Sequence, residues 1–191
     1  MNGFLHFIKR RENHIFSGHI LNSCITLFIS IFRCKSEQEK CPMEDDKLYM
    51  RRAYEHALKS YNEGGCPIGA VIIDNKTGKI LGEGHNHLVQ EGNPIIHGEM
   101  DAMRKAGRMA SRRDTTMYTT LSPCMMCAGT IVQFKIGRVV VGDTVNSEGN
   151  VVFLREHGVS VDVMDDPECI ALVKKFRTEK PDLWLEDWGG G

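Results

Sequence analysis

Ile96-His97-Gly98-Glu99-Met100 and, a short way on, Ser122-Pro123-Cys124-Met125-Met126-Cys127 are the stretches from which this chain is read. One imidazole and two thiolates can hold a single zinc ion and leave its fourth tetrahedral position to water. Zinc lowers the pKa of such a water to roughly 7, which makes hydroxide available at neutral pH. Glu99 stands two residues from His97 and is not needed as a ligand. A carboxylate so placed can move protons between that water and a substrate.

Cys124-x-x-Cys127 alone would also suit a structural zinc ribbon or a redox pair. A ribbon needs four protein ligands, often as two such pairs, and the remaining cysteines (Cys24, Cys34, Cys41, Cys66, Cys169) are scattered singly. A redox pair leaves His97 and Glu99 without a purpose. The joint pattern therefore predicts a catalytic metal site.

Outward from these motifs the chain becomes regular. His97–Ala106 reads as a helix closed by Gly107, with His97 and Glu99 in its first turn. Pro123 suits a helix start, so Cys124 and Cys127 open a second helix running to about Lys135. A helix N-terminus favours thiolate over thiol. Met125 and Met126 read as packing residues. Upstream, Met50, Ala53, Tyr54, Ala57, Leu58 and Tyr61 recur at helical spacing, with Asp45 and Asp46 near the start and Gly64-Gly65 at the end. Gly69–Ile73 and Lys79–Gly84 read as a hairpin across Asn75-Lys76-Thr77-Gly78. His85 and His87 are expected to be loop histidines, and Arg112-Arg113-Asp114 a solvated loop. Thr115–Leu121, Arg138–Gly142 and Val159–Met164 read as strands, and Val151–His157 and Pro167–Glu179 as helices. Strands alternating with helices predict one α/β domain of three layers.

The chain has 191 residues, enough for one domain with a core plus an appendage. Its 24 Lys+Arg against 25 Asp+Glu give no basic footprint for holding long nucleic acid. Seven cysteines without paired spacing do not make a secreted disulfide framework, and a thiolate zinc site suits a reducing compartment. Residues 1–42 differ from the rest. Lys9-Arg10-Arg11 precedes an interrupted apolar run, Ile15–Phe32, which can be read as a weak signal anchor, a targeting peptide or a non-conforming leader. We take the last as the expectation, with the domain over 43–191 and membrane association only if the leader is an anchor.

Together, Glu63-Gly64-Gly65-Cys66-Pro67-Ile68-Gly69, Gly84-His85-Asn86, His97-Gly98-Glu99, the block Asp114–Cys127 and Trp184-Leu185-Glu186-Asp187 carry a likeness. The chain resembles the cytidine-deaminase-like superfamily, and within it the fungal-type cytosine deaminases, over about Glu44 to Asp187; the leader has no counterpart. The resemblance implies a three-layer α/β/α sandwich with a central mixed sheet of five strands, a homodimer, and one zinc per subunit. It implies hydrolysis of cytosine to uracil and ammonia in pyrimidine salvage, in the cytoplasm, with the nucleus as a second compartment and organelle or membrane targeting left open by the leader. By the same resemblance His97, Cys124 and Cys127 bind zinc, and Glu99 carries protons to the ring nitrogen and the departing amine. Asn86 and the Gly98 N–H meet the pyrimidine carbonyl, the Ser122 carbonyl accepts the amino group, Asp187 takes the proton on ring N1, and Ile68 and Trp184 pack around the ring. Two positions depart from the family pattern. Leu185 stands where an aromatic follows Trp184, and Ser147 where a Phe follows Asn146; Phe153 or Trp188 could close the pocket instead.

Other substrates fit the same chemistry: a nucleoside such as cytidine, guanine, or an adenosine in tRNA. The tRNA enzymes usually carry His-Ala-Glu where this chain has His97-Gly98-Glu99. A zinc-holding binding module without turnover would have no use for Glu99.

Overall fold

A computed structural model describes residues 42–187; residues 1–41 of the leader and Trp188 lie outside them. Helix α1, Pro42–Asn62, opens the domain. Its apolar positions bury Met50 and Ala53 against Val71, Ile73, Tyr118 and Val140 of the sheet. Gly64 follows at a φ of 93°, a left-handed conformation that ends the helix at little cost for glycine.

Strands β1 (Gly69–Asp74) and β2 (Ile80–His85) form the expected antiparallel hairpin. A short helix α2, Leu88–Glu91, leads to α3, Gly98–Ala106. Then come β3 (Thr115–Thr119), α4 (Met125–Gln133), β4 (Arg138–Val141), α5 (Val151–Glu156), β5 (Ser160–Val163), α6 (Pro167–Glu179) and α7 (Pro181–Asp187). Asp166 caps α6 by accepting from the N–H groups of Glu168 and Cys169, with Pro167 in the first turn.

The five strands form one mixed sheet in the order β2-β1-β3-β4-β5. β1 runs antiparallel to β2 and β3, while β3, β4 and β5 are mutually parallel. Successive side chains of a strand point to opposite faces. Ala70, Ile72, Met117, Val139 and Val141 accordingly pack with residues of α3, α4 and α5 on one face. The alternate residues meet α1 and Cys169 of α6 on the other. The sequence-predicted three-layer α/β/α sandwich is therefore the observed one. No helix among the described residues is long and apolar enough to cross a membrane.

Four local expectations need correction. Helices α2 and α7 were not anticipated. Arg112 is not solvated: it is 8 % exposed, donates to the Gly107 carbonyl and lies over the Phe134 ring at 5.3 Å. Met125 does not pack but is exposed. His85 is no loop residue: it closes β2 and is buried.

The topology positions the site. β3 ends at Thr119, and the chain passes through Leu121 and Ser122 into α4, the crossover to parallel β4. The carboxyl ends of parallel strands are where open α/β sheets bind ligands.

Candidate active site

Two helices begin at one place. His97 is the N-cap of α3 and Cys124 the N-cap of α4, both in extended backbone conformation, and neither side chain is used as a cap. Glu99 and Cys127 sit in the first turns behind them. Both positive helix ends thus face groups that carry or develop negative charge.

Ligand atoms of His97, Cys124 and Cys127 all lie within 4.8 Å of one another. Cys124 Sγ is 3.5 Å from His97 Nδ1, and a tetrahedral zinc with ordinary bond lengths would separate such atoms by about 3.6 Å. This donor set fits zinc, with His97 presenting Nδ1. Its other nitrogen, Nε2, lies 3.8 Å from Asp187 Oδ1, the kind of outer carboxylate that orients a ligating imidazole. The thiol of Cys127 beside Cys124, helped by His97 against the opposing effect of burial, holds the Cys124 pKa down to about 4. Cys124 is a ready thiolate. Cys127 is pushed upward by Cys124 and by burial, so it would surrender its proton when a metal binds.

Glu99 is 3 % exposed. Its Oε1 lies 3.2 Å from the Thr119 hydroxyl and its Oε2 3.5 Å from Cys127 Sγ. Burial, then the nearby Cys124 charge, raises its pKa. A carboxyl held in this way, with its pKa raised, can both take and return a proton.

The other sequence-predicted residues converge on the same place from distant elements. Asn86 is fully buried; its Oδ1 accepts from the Leu88 N–H at 2.8 Å, and its Nδ2 donates to Asp187 Oδ1 at 2.8 Å. The Asp187 side chain is 2 % exposed although the residue ends α7, so it is no solvated acid. Cys66, one of the residues sequence reasoning missed, also turns its thiol to Asp187; burial and that carboxylate push its pKa up. Ile68 and Trp184 are buried in one cluster with Cys66, Leu121, Val173 and Phe176. Ser122 is fixed by its N–H to the Asp143 carbonyl at 2.9 Å and its hydroxyl to the Glu148 carbonyl at 2.9 Å. A Cβ on Gly98 would stand 2.8 Å from the Ile68 carbonyl oxygen, closer than van der Waals contact. Alanine has no room there.

Leu185 and Phe153, both raised by the departures from the aromatic pattern, are placed differently. Leu185 is 48 % exposed, so this position does not contribute a buried wall. Phe153 packs against the sheet core, and its ring lies tilted at 34° to that of His157 with centroids 4.1 Å apart. Arg177, a second missed residue, ties the flanking pieces together: its guanidinium lies 5.2 Å from the Trp184 ring and donates to the Asn146 carbonyl at 3.0 Å.

Comparison with known proteins agrees with this geometry. Residues 43–143 match the family described as the cytidine and deoxycytidylate deaminase zinc-binding region. A cytosine deaminase of Candida albicans is 48 % identical over 147 residues, which is 76 % of this chain and 97 % of that protein. A tRNA-specific adenosine deaminase of Bacillus subtilis is 40 % identical over 103 residues, 52 % of this chain and 63 % of that one. Among solved structures, a guanine deaminase from Nitrosomonas europaea superposes with a TM-score of 0.59 at 19 % identity, covering 68 % of this chain and 83 % of its own. At that identity the likeness speaks for the fold alone.

Proposed function

Because the chain belongs to the zinc-dependent cytidine and deoxycytidylate deaminase family, we propose that it hydrolyses free cytosine to uracil and ammonia. The observation that carries this reading is the buried Asp187 carboxylate, held by Asn86 within reach of the zinc-binding triad. A free pyrimidine base carries a proton on ring N1, which a carboxylate can accept as a charge-assisted hydrogen bond. In a nucleoside that nitrogen bears the ribose, and the same carboxylate would repel it.

His97, Cys124 and Cys127 would hold zinc, which when bound supplies a water that ionises near neutral pH. Glu99 takes a proton at its carboxylate and passes it to the ring nitrogen next to the reacting carbon. It then takes the second proton from the new hydroxyl on the reacting carbon and gives it to the departing amine, so that both protons of the water are used. The raised pKa of Glu99 suits both halves of this exchange. Asn86 Nδ2 has two hydrogens, so it can serve Asp187 and the pyrimidine carbonyl together. The Gly98 N–H would share that carbonyl, and the Ser122 carbonyl would accept the amino group. Ile68 and Trp184 would wall the ring and exclude water.

We further place the activity in pyrimidine salvage in the cytoplasm, carried by a homodimer whose working domain is 43–191, with residues 1–42 a leader that the domain does not require. The experiment is ammonia release by zinc-loaded protein from cytosine, cytidine, guanine and adenine, run on the full chain and on one begun at Met43. Cytosine should be turned over and cytidine spared in both. Preference for guanine or adenine would move the reading to another base, and an inactive shortened chain would make the leader part of the domain.

A further inference from the structure

A second cluster of metal-ligating side chains stands apart from the zinc triad. His85 ends β2, His87 precedes α2 and Asp101 lies on α3, and a ligand atom of each is within 4.8 Å of the others. The Asp101 side chain is fully buried, and those of His85 and His87 are 3 % and 12 % exposed.

Each imidazole has one nitrogen engaged by a carboxylate. His85 Nε2 is 3.0 Å from Glu63 Oε2, and His87 Nδ1 is 2.8 Å from Glu91 Oε1. Those contacts need an N–H on the ring, so in a neutral imidazole the opposite nitrogen is a bare lone pair. For His85 that nitrogen is Nδ1, a buried atom without a hydrogen-bond partner. For His87 it is Nε2, which faces Asp101 Oδ2 at 3.1 Å. At that distance the two atoms share either a second ring proton or a cation. Burial holds His85 below the ordinary histidine range and so keeps it a neutral ligand. A carboxylate behind each histidine is also how metal-binding imidazoles are oriented and made more basic.

The 3.1 Å between His87 Nε2 and Asp101 Oδ2 already has the separation of two ligands of one ion, with His85 within 4.8 Å of both. Nitrogen and oxygen ligands of one octahedral or tetrahedral ion, with bonds near 2.1 Å, lie roughly 2.9 to 3.4 Å apart. Two imidazoles and a carboxylate select first-row transition ions over magnesium or calcium. Arg104 and Lys105 each pair with Asp101 at 2.7 Å. Both are exposed side chains that can turn to solvent when a better-placed cation arrives.

We propose that His85, His87 and Asp101 form a second metal site that takes a first-row divalent ion such as zinc. It would clamp the segment carrying Asn86, which lies between the two histidines, onto α3 two residues beyond Glu99. The proposal is independent of the reaction catalysed.

The test counts zinc by mass spectrometry in the full chain dialysed to equilibrium against a series of buffered free zinc concentrations. His87→Ala should bind one ion fewer than the parent while retaining the ion that Cys124→Ser removes. Lys105→Met, a surface change, should fill the second site at about fivefold lower free zinc, because its ammonium no longer competes. Identical zinc curves for His87→Ala and the parent would overturn the proposal. So would a Lys105→Met curve that does not move, whatever the folding state of the other variant.

Discussion

Asp187 Oδ1 accepts a hydrogen bond from Asn86 Nδ2 at 2.8 Å, joining the end of α7 to the residue after β2. The same oxygen lies 3.8 Å from His97 Nε2. One carboxylate therefore touches the amide expected to read the pyrimidine and the imidazole expected to hold the metal. Asp187→Ala should lose at least tenfold to hundredfold in kcat/KM on cytosine, the cost of leaving a buried polar group unpaired, while its zinc content persists. Parallel kinetics and metal analysis check this; unchanged efficiency would separate α7 from substrate recognition.

Metal binding and proton transfer should come apart by mutation. Cys124→Ser or His97→Ala should lose zinc and activity together, since each removes one of three ligands. Glu99→Gln keeps its size but not its proton, so zinc should stay while turnover falls by about 10²-fold or more. Metal content measured beside kcat distinguishes the two classes. A Glu99→Gln variant as fast as the parent would mean another group carries the proton.

Gly98 is fixed by contact with Ile68. An added Cβ would meet the Ile68 carbonyl oxygen at 2.8 Å, so the first turn of α3 would have to move by roughly half an ångström to reach ordinary contact. That turn carries Glu99. We expect Gly98→Ala to reduce kcat by about tenfold or more, given that displacements near 1 Å can cost 10²-fold. Zinc content should be retained, because His97 itself precedes the turn. Full activity in this variant would show that α3 accommodates the methyl group.

Away from the site, Arg138 hydrogen-bonds both oxygens of Asp46, at 2.8 and 2.7 Å, and Tyr118 donates to it at 2.7 Å. Arg138 lowers the Asp46 pKa below its ordinary 3.8 against the opposing effect of burial, and Tyr118 adds to the lowering. A depressed carboxylate stabilises the fold above its unfolded pKa, and that contribution is lost as pH falls through the folded value. Asp46→Asn should therefore cost about 1–3 kcal/mol at pH 7. The difference from the parent should shrink progressively below about pH 4. Urea unfolding at both pH values tests this, and a gap independent of pH would assign the effect to packing.

Much of the fold was legible because its signals are local. The α1 repeat of Met50, Ala53 and Ala57, the apolar strands and the Pro167 start of α6 each announce an element within a dozen residues. The grouping of His97, Cys124 and Cys127 was legible for a different reason: their spacing in sequence matches the two helix starts that carry them. What escaped is long-range. Pro181–Asp187 is short and carries three acids, and its helix is fixed by burying Trp184 against Phe176 and Val173. Arg112 reads as polar until Phe134 supplies a ring beneath it. His85 reads as a loop histidine until Glu63 and Asp101 arrive from other elements.

The origin of Asp187 and Trp184 in α7 has a consequence for the order of synthesis. His97, Glu99, Cys124 and Cys127 are all made before the residues that complete the ring pocket. A nascent chain can thus acquire its metal while the wall proposed to read N1 does not yet exist. Chemistry and selectivity are installed at different times, and a fragment ending before Pro181 should chelate zinc yet fail to tell a base from its nucleoside.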